Sequence, residues 1–155
     1  MRLISALSAI AVIFSLALPV IAETTARDET RESLIAFNDR FNQLAASHDA
    51  AGLIALYDED AFWIAPATRP SQGRDGVPRQ TITFMSENNG RLSHTVEDLF
   101  ISDDGRLAVM KGVTRASVES HGFQLEGSYI YVLERAGESE PWRIVLDMFS
   151  NYAAE

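Results

Sequence analysis

Phe123-Gln124-Leu125-Glu126-Gly127-Ser128-Tyr129-Ile130-Tyr131-Val132-Leu133-Glu134-Arg135 decides the fold. Phe123, Leu125, Gly127, Tyr129, Tyr131 and Leu133 recur at every second position, so they share one face of a strand. Gln124, Glu126, Ser128 and Glu134 fall on the other face, with Ile130 and Val132 as its apolar centre. Turn formers flank the strand: Ser120-His121-Gly122 before it and Gly137 to Pro141 after it. Beyond them lie further strands, Arg106 to Val118 upstream and Trp142 to Ser150 downstream. Ser102-Asp103-Asp104-Gly105 is a hairpin signal, and His94 to Ile101 precedes it as one more strand. Four consecutive strands joined by short turns predict an antiparallel meander.

Upstream the period changes from two to nearly four. Leu34, Phe37, Phe41 and Leu44 make the apolar stripe of a first helix, after a polar start over residues 23–33. His48-Asp49 ends that helix, and Asp49 suits the N-cap of a second whose apolar face is Leu53, Leu56 and Tyr57. Asp58-Glu59-Asp60 reads as a turn, Ala61 to Ala65 as a short strand stopped at Pro66, and Thr68 to Gly73 as a loop. Asp75 is read as the cap of a third helix running to Asn88, with Val77, Thr81, Phe84 and Met85 facing inward and Asn89-Gly90 ending it. Helices first and an antiparallel meander after them predict an α+β fold with three helices packed on one sheet face.

The chain has 155 residues and a formal net charge of −9. Residues 1–22 have the form of a secretory signal peptide. Arg2 supplies the positive start, Leu3 to Leu18 the apolar stretch, and Val20-Ile21-Ala22 the small-residue cut site. The apolar run is shorter than the ~20 residues of a spanning helix and ends at Pro19, so no membrane attachment is expected once it is removed. The expected product is a single exported domain of residues 23–155, periplasmic or secreted. Removal of Arg2 leaves 12 Lys+Arg against 22 Asp+Glu. That balance repels phosphates and argues against nucleic acid as a partner. There is no cysteine, so neither disulfides nor thiolate chemistry contribute.

Four motifs carry a resemblance. Tyr57-Asp58-Glu59-Asp60-Ala61-Phe62-Trp63 resembles the helix-to-strand junction of the nuclear transport factor 2-like superfamily. Gly73-Arg74-Asp75-Gly76-Val77 resembles the start of its third helix, Gly127-Ser128-Tyr129 its penultimate strand, and Trp142-Arg143-Ile144-Val145 with Asp147, Phe149 and Ser150 its closing strand. The motifs occur in the right order over nearly the whole of residues 23–155. The branch they most resemble is that of small bacterial domains related to SnoaL-like cyclases and ketosteroid isomerases. The resemblance implies a curved sheet wrapped around a helix and enclosing a cone-shaped cavity. Relatives include isomerases, dehydratases, cyclases, binding proteins and dimerisation modules, so the fold alone names no function.

The resemblance also locates residues. The isomerase base falls on Ala65 and its helical tyrosine on Phe41, neither of which can move a proton; the second donor falls near Tyr129. A cyclase-type aspartate falls on Asp147, which alternation places on the face of Val145 and Phe149. Desolvation there would raise its pKa and suit acid–base work; the alternative, favoured because buried charges are usually paired, is a structural aspartate hydrogen-bonded to a helix amide or paired with an arginine. His94 is the candidate partner of Asp147. His48 and His121 fall in turns, and the three histidines lack metal-motif spacing, so no metal or cofactor is expected. Phe41, Trp63, Phe84, Met110, Tyr129, Tyr131 and Phe149 are the expected cavity wall, or alternatively ordinary core. Three functions follow as expectations. The first is a module holding a small apolar molecule. The second is an enzyme using Asp147 with Tyr129 or His94. The third is a structural homodimer formed through the outer sheet face.

Overall fold

A computed structural model describes residues 18–152, with side chains described from Ala26 onward; most of the expected signal peptide lies outside these residues. The elements are α1 (Leu18–Ala46), α2 (Ala50–Ile54), β1 (Tyr57–Ile64), β2 (Ser71–Gln72), α3 (Val77–Glu87), β3 (Arg91–Ile101), β4 (Leu107–Val118), a short 3-10 turn (Glu119–His121), β5 (Phe123–Glu134) and β6 (Arg143–Phe149). α1 spans both sides of the expected cut after Ala22. Among the described residues no helix is long and apolar enough to cross a membrane.

The six strands form one sheet in the order β2-β1-β6-β5-β4-β3. β3 to β6 are the antiparallel meander expected from the turns. The closing strand then returns beside β1 and runs parallel to it, pairing Phe62 with Leu146 and Trp63 with Asp147. Register shifts between Val96 and Asp98 and between Val132 and Leu133 interrupt the ladders. Such irregularities bend a sheet, and here the concave face receives the helices. The second shift alters an expected face. Ile144 pairs with Leu133 and Leu146 with Val132, so Val145 is left without a partner. Ile144 is therefore fully buried, while Val145 lies outside among Asp58, Glu134 and Arg143, not beside Asp147.

The α1 stripe is buried as the spacing requires: Leu34, Phe37, Phe41 and Leu44 all belong to the core. They pack with Tyr129, Tyr131 and Leu133 of β5 and with Met110 of β4. Asp49 caps α2 by accepting a hydrogen bond from Gly52 N at 2.8 Å. α2 is shorter than its apolar positions suggested, and Tyr57 opens β1 instead of closing the helix. The acidic run Asp58-Glu59-Asp60 is likewise strand, not turn. It is held extended by the chain beside it: Arg74 N donates to Glu59 O, Gly73 N to Ala61 O, and the Arg74 guanidinium to both Tyr57 O and Glu59 Oε1.

α3 begins with Gly76 at its N-cap and Pro78 in its first turn, which costs no hydrogen bond there. Asp75 does not cap it; its carboxylate accepts from the Arg79 guanidinium. The buried face of α3 is Pro78, Ile82 and Met85, rotated by about one residue from the expected stripe, and Val77 and Phe84 are exposed.

Candidate functional site

The concave face of the sheet, α1 and α3 enclose a cavity of about 290 Å³. Phe41 enters it from α1, Ile82 and Met85 from α3, Trp63 from β1, Tyr129 and Tyr131 from β5, and Phe149 from β6. Of the seven aromatic or apolar residues expected on its wall, two are elsewhere. Met110 is fully buried but packs in the core behind the cavity. Phe84 points outward and meets His121 edge-on at 5.0 Å. The rotated face of α3 explains the second discrepancy, because it presents Ile82 and Met85 inward.

Three expected polar residues do line the cavity: Asp147, Tyr129 and His94. Asp147 is 4 % exposed, and Tyr57 Oη donates to its Oδ2 at 2.7 Å. Burial pushes the Asp147 carboxyl up to about 7, against the opposing effect of the Tyr57 hydrogen bond. It is therefore divided between its two protonation states near neutrality. Burial, with the Asp147 charge beside it, raises the Tyr57 hydroxyl well above the ordinary phenol range. Tyr57 thus remains a donor at every physiological pH.

His94 and Asp147 share no hydrogen bond, contrary to the direct pair expected. His94 Nδ1 instead meets the Tyr131 hydroxyl at 3.1 Å. The cavity wall therefore carries two buried polar pairs, Tyr57 with Asp147 across β1 and β6 and Tyr131 with His94 across β5 and β3. The His94 ring lies stacked between Phe41 and Tyr129, with centroid distances of 4.4 and 4.3 Å. Burial lowers its pKa to about 3, so the imidazole is neutral.

β3 is the edge strand, so the outward backbone groups of His94 have no strand neighbour. α1 supplies one. Asn42 Nδ2 donates to His94 O at 2.9 Å, and His94 N donates to Asn42 Oδ1 at 2.8 Å. Asn38, one turn earlier, donates to the same carbonyl at 3.3 Å. These amides act as a short substitute strand and fix the height of His94 in the cavity wall.

Tyr129 is different from the other buried tyrosines. Its residue is 1 % exposed, it lines the cavity, and its hydroxyl has no hydrogen-bond partner. Burial and the nearby Asp147 charge raise its pKa, so it too stays protonated. Ala65 and Phe41, the positions of the isomerase base and helical tyrosine, both reach the cavity and bring neither carboxyl nor hydroxyl to it. Among the described residues no cluster of His, Cys, Asp or Glu is arranged to hold a metal ion.

Sequence reading missed Tyr57, which was assigned to a helix face, and the Asn38/Asn42 pair. The second had a usable signal: two amides four residues apart on a helix, flanking the apolar Phe41, are positioned to meet one neighbour.

Comparison with solved structures supports the fold. An NTF2-like protein of unknown function from Shewanella oneidensis superposes with a TM-score of 0.62 at 15% identity, over 78% of this chain and 98% of that one. An NTF2-like protein with a cystatin-like fold from Novosphingobium aromaticivorans gives 0.60 at 18% identity, over 92% and 94%. A provisionally assigned scytalone dehydratase from the same organism gives 0.64 at 16% identity, over 85% and 93%. No curated protein matches the sequence significantly. At these identities the structures establish a shared nuclear transport factor 2-like fold. The sequence itself matches the SnoaL-like domain family over residues 36–139, and the chain belongs to that family.

Proposed function

We propose that this chain is an exported binding protein whose cavity holds one small, predominantly apolar molecule. The observation that carries the reading is the Tyr129 hydroxyl. A buried hydroxyl without a partner costs about 1–3 kcal/mol, and native structures seldom leave one so. The Tyr129 residue lines an aromatic cavity, and a ligand seated there could supply the missing partner. The volume sits at the lower end of the ~300–1,000 Å³ typical of ligand sites, which suits a molecule of one ring with a short chain. The amino-terminal pattern of residues 1–22 supports export.

Trp63 lines the cavity, while Trp142 lies away from it beneath the Arg135 guanidinium and donates to Ser33. In a Trp142→Phe variant Trp63 is the one remaining indole. Titration of that variant with a panel of monocyclic and bicyclic compounds is expected to give saturable emission changes for a subset. A flat response across the panel would count against the reading.

A second reading, acid–base catalysis by Asp147, is favoured by one observation: a cavity-lining carboxyl with a single tyrosine partner and a pKa near neutrality. It requires a turnover that Asp147→Asn abolishes while binding persists.

For assembly we propose a homodimer through the convex face. One row crosses it from strand to strand: Phe62, Leu146, Val132, Val109 and Phe100 are successive register partners. Phe62 and Phe100 at its ends are exposed. An apolar stripe within a polar rim is the composition of a self-complementary interface.

A further inference from the structure

We infer that the molecule held in the cavity is an organic cation: an apolar body carrying a protonated amine that pairs with Asp147. The inference rests on the binding reading above and assigns the chemical class of its ligand. Buried carboxyls in folded proteins are ordinarily paired with a basic group. Asp147 has only the neutral Tyr57 hydroxyl, and among the described residues no lysine or arginine lines the cavity. His94, the one basic side chain in the wall, is held uncharged by its burial and is occupied by Tyr131. When ionised, Asp147 therefore has no counter-charge in the wall, and a cationic ligand would supply one.

The rest of the wall suits a cation. Trp63, Phe149, Tyr129 and Phe41 present aromatic surface to the same space. Aromatic faces attract ammonium groups by about 0.5–2 kcal/mol each, more when water is excluded. An ammonium group paired with Asp147 could also donate to the unpartnered Tyr129 oxygen, and the buried Thr114 lines the same cavity. A neutral ligand leaves Asp147 without a counter-charge. A carboxylate ligand would be repelled by it and by the net charge of −9 on the chain, which also draws cations toward the protein.

The test uses three probes of one shape: 2-phenylethylamine, 2-phenylethanol and phenylacetate. Isothermal titration calorimetry of the protein lacking residues 1–22, as exported, is expected to show the amine binding at least tenfold more tightly than the alcohol, with no binding of phenylacetate. In Asp147→Asn the preference should fall to near unity. A wild-type pH series provides a check that needs no variant. The titratable groups around Asp147 are Tyr57, Tyr129, Tyr131 and His94, and only Asp147 changes charge between pH 6 and 8. Amine affinity should therefore rise several-fold across that range, while alcohol affinity stays level. Equal binding of amine and alcohol overturns the amine assignment and leaves the binding reading intact. Binding of phenylacetate, or of none of the three, also overturns the assignment, and the binding reading is then decided by whether other compounds alter Trp63 emission.

Discussion

Asn42 closes both outward backbone groups of His94, accepting from its nitrogen at 2.8 Å and donating to its oxygen at 2.9 Å. A helix side chain thereby completes the edge of the sheet at the residue whose ring is stacked between Phe41 and Tyr129. The position of the cavity wall depends on that clip.

Asn42→Ala leaves two backbone groups at a partly buried site without their partner. Each such loss costs about 1–3 kcal/mol, with Asn38 able to offset part of the loss at the carbonyl. The expected result is destabilisation of about 2 kcal/mol by urea unfolding, with a changed near-ultraviolet aromatic signal. Full stability in the variant would show that water replaces the amide.

Tyr57→Phe removes the hydroxyl that donates to Asp147 Oδ2. That bond stabilises the carboxylate, so its loss should move the Asp147 titration upward from about 7. Carboxyl carbon NMR with labelled aspartate follows this directly. A downward move would mean that Tyr57 chiefly excludes water.

Asp147 and His94 make the stability of the fold depend on pH in opposite senses. Asp147 titrates at about 7 in the fold against 3.8 as a free side chain. Its contribution is fully present below about pH 4 and is lost as pH rises to about 7. His94 titrates at about 3 against 6.5. Its contribution is fully present above about pH 6.5 and is lost as pH falls toward about 3. Each slope is on the order of 1.4 kcal/mol per pH unit, so they largely cancel from about pH 4 to 6.5. Asp147→Asn removes one of the two. The Tm of that variant, relative to the unsubstituted protein, should therefore climb between pH 4 and 7 in a calorimetric series. A constant difference would place Asp147 in contact with water.

Val132 sits at the middle of the apolar row on the convex face. Val132→Asp should convert a dimer to a monomer in sedimentation velocity at micromolar concentration while circular dichroism is unchanged. A monomer before substitution would remove the proposed interface.

Local patterning was sufficient for the strands, because Tyr129, Tyr131 and Leu133 alternate without interruption and the turns beside them are composed of turn formers. It was sufficient for α1 as well, where Phe37, Phe41 and Leu44 keep a helical period. It failed where a distant segment overrides local preference. Asp58-Glu59-Asp60 has the composition of a turn but is strand because Gly73 and Arg74 bond to it. Val145 follows the alternation of β6 on paper and is turned outward by the register shift opposite Val132 and Leu133. The placement of Asp147 and Tyr129 on the cavity wall was legible from the family resemblance. The wiring of the site was not, since Tyr57 to Asp147 and Asn42 to His94 are contacts 90 and 52 residues apart in the chain.

The central claim is that the cavity is a ligand site, and native mass spectrometry of the protein recovered from the cells that make it tests it most directly. The predicted result is a mature chain beginning after residue 22 that carries one small molecule, released intact by organic extraction and absent from Tyr129→Phe or Asp147→Asn. A chain that is uniformly empty, and that stays empty after incubation with an extract of the same cells, would contradict the account.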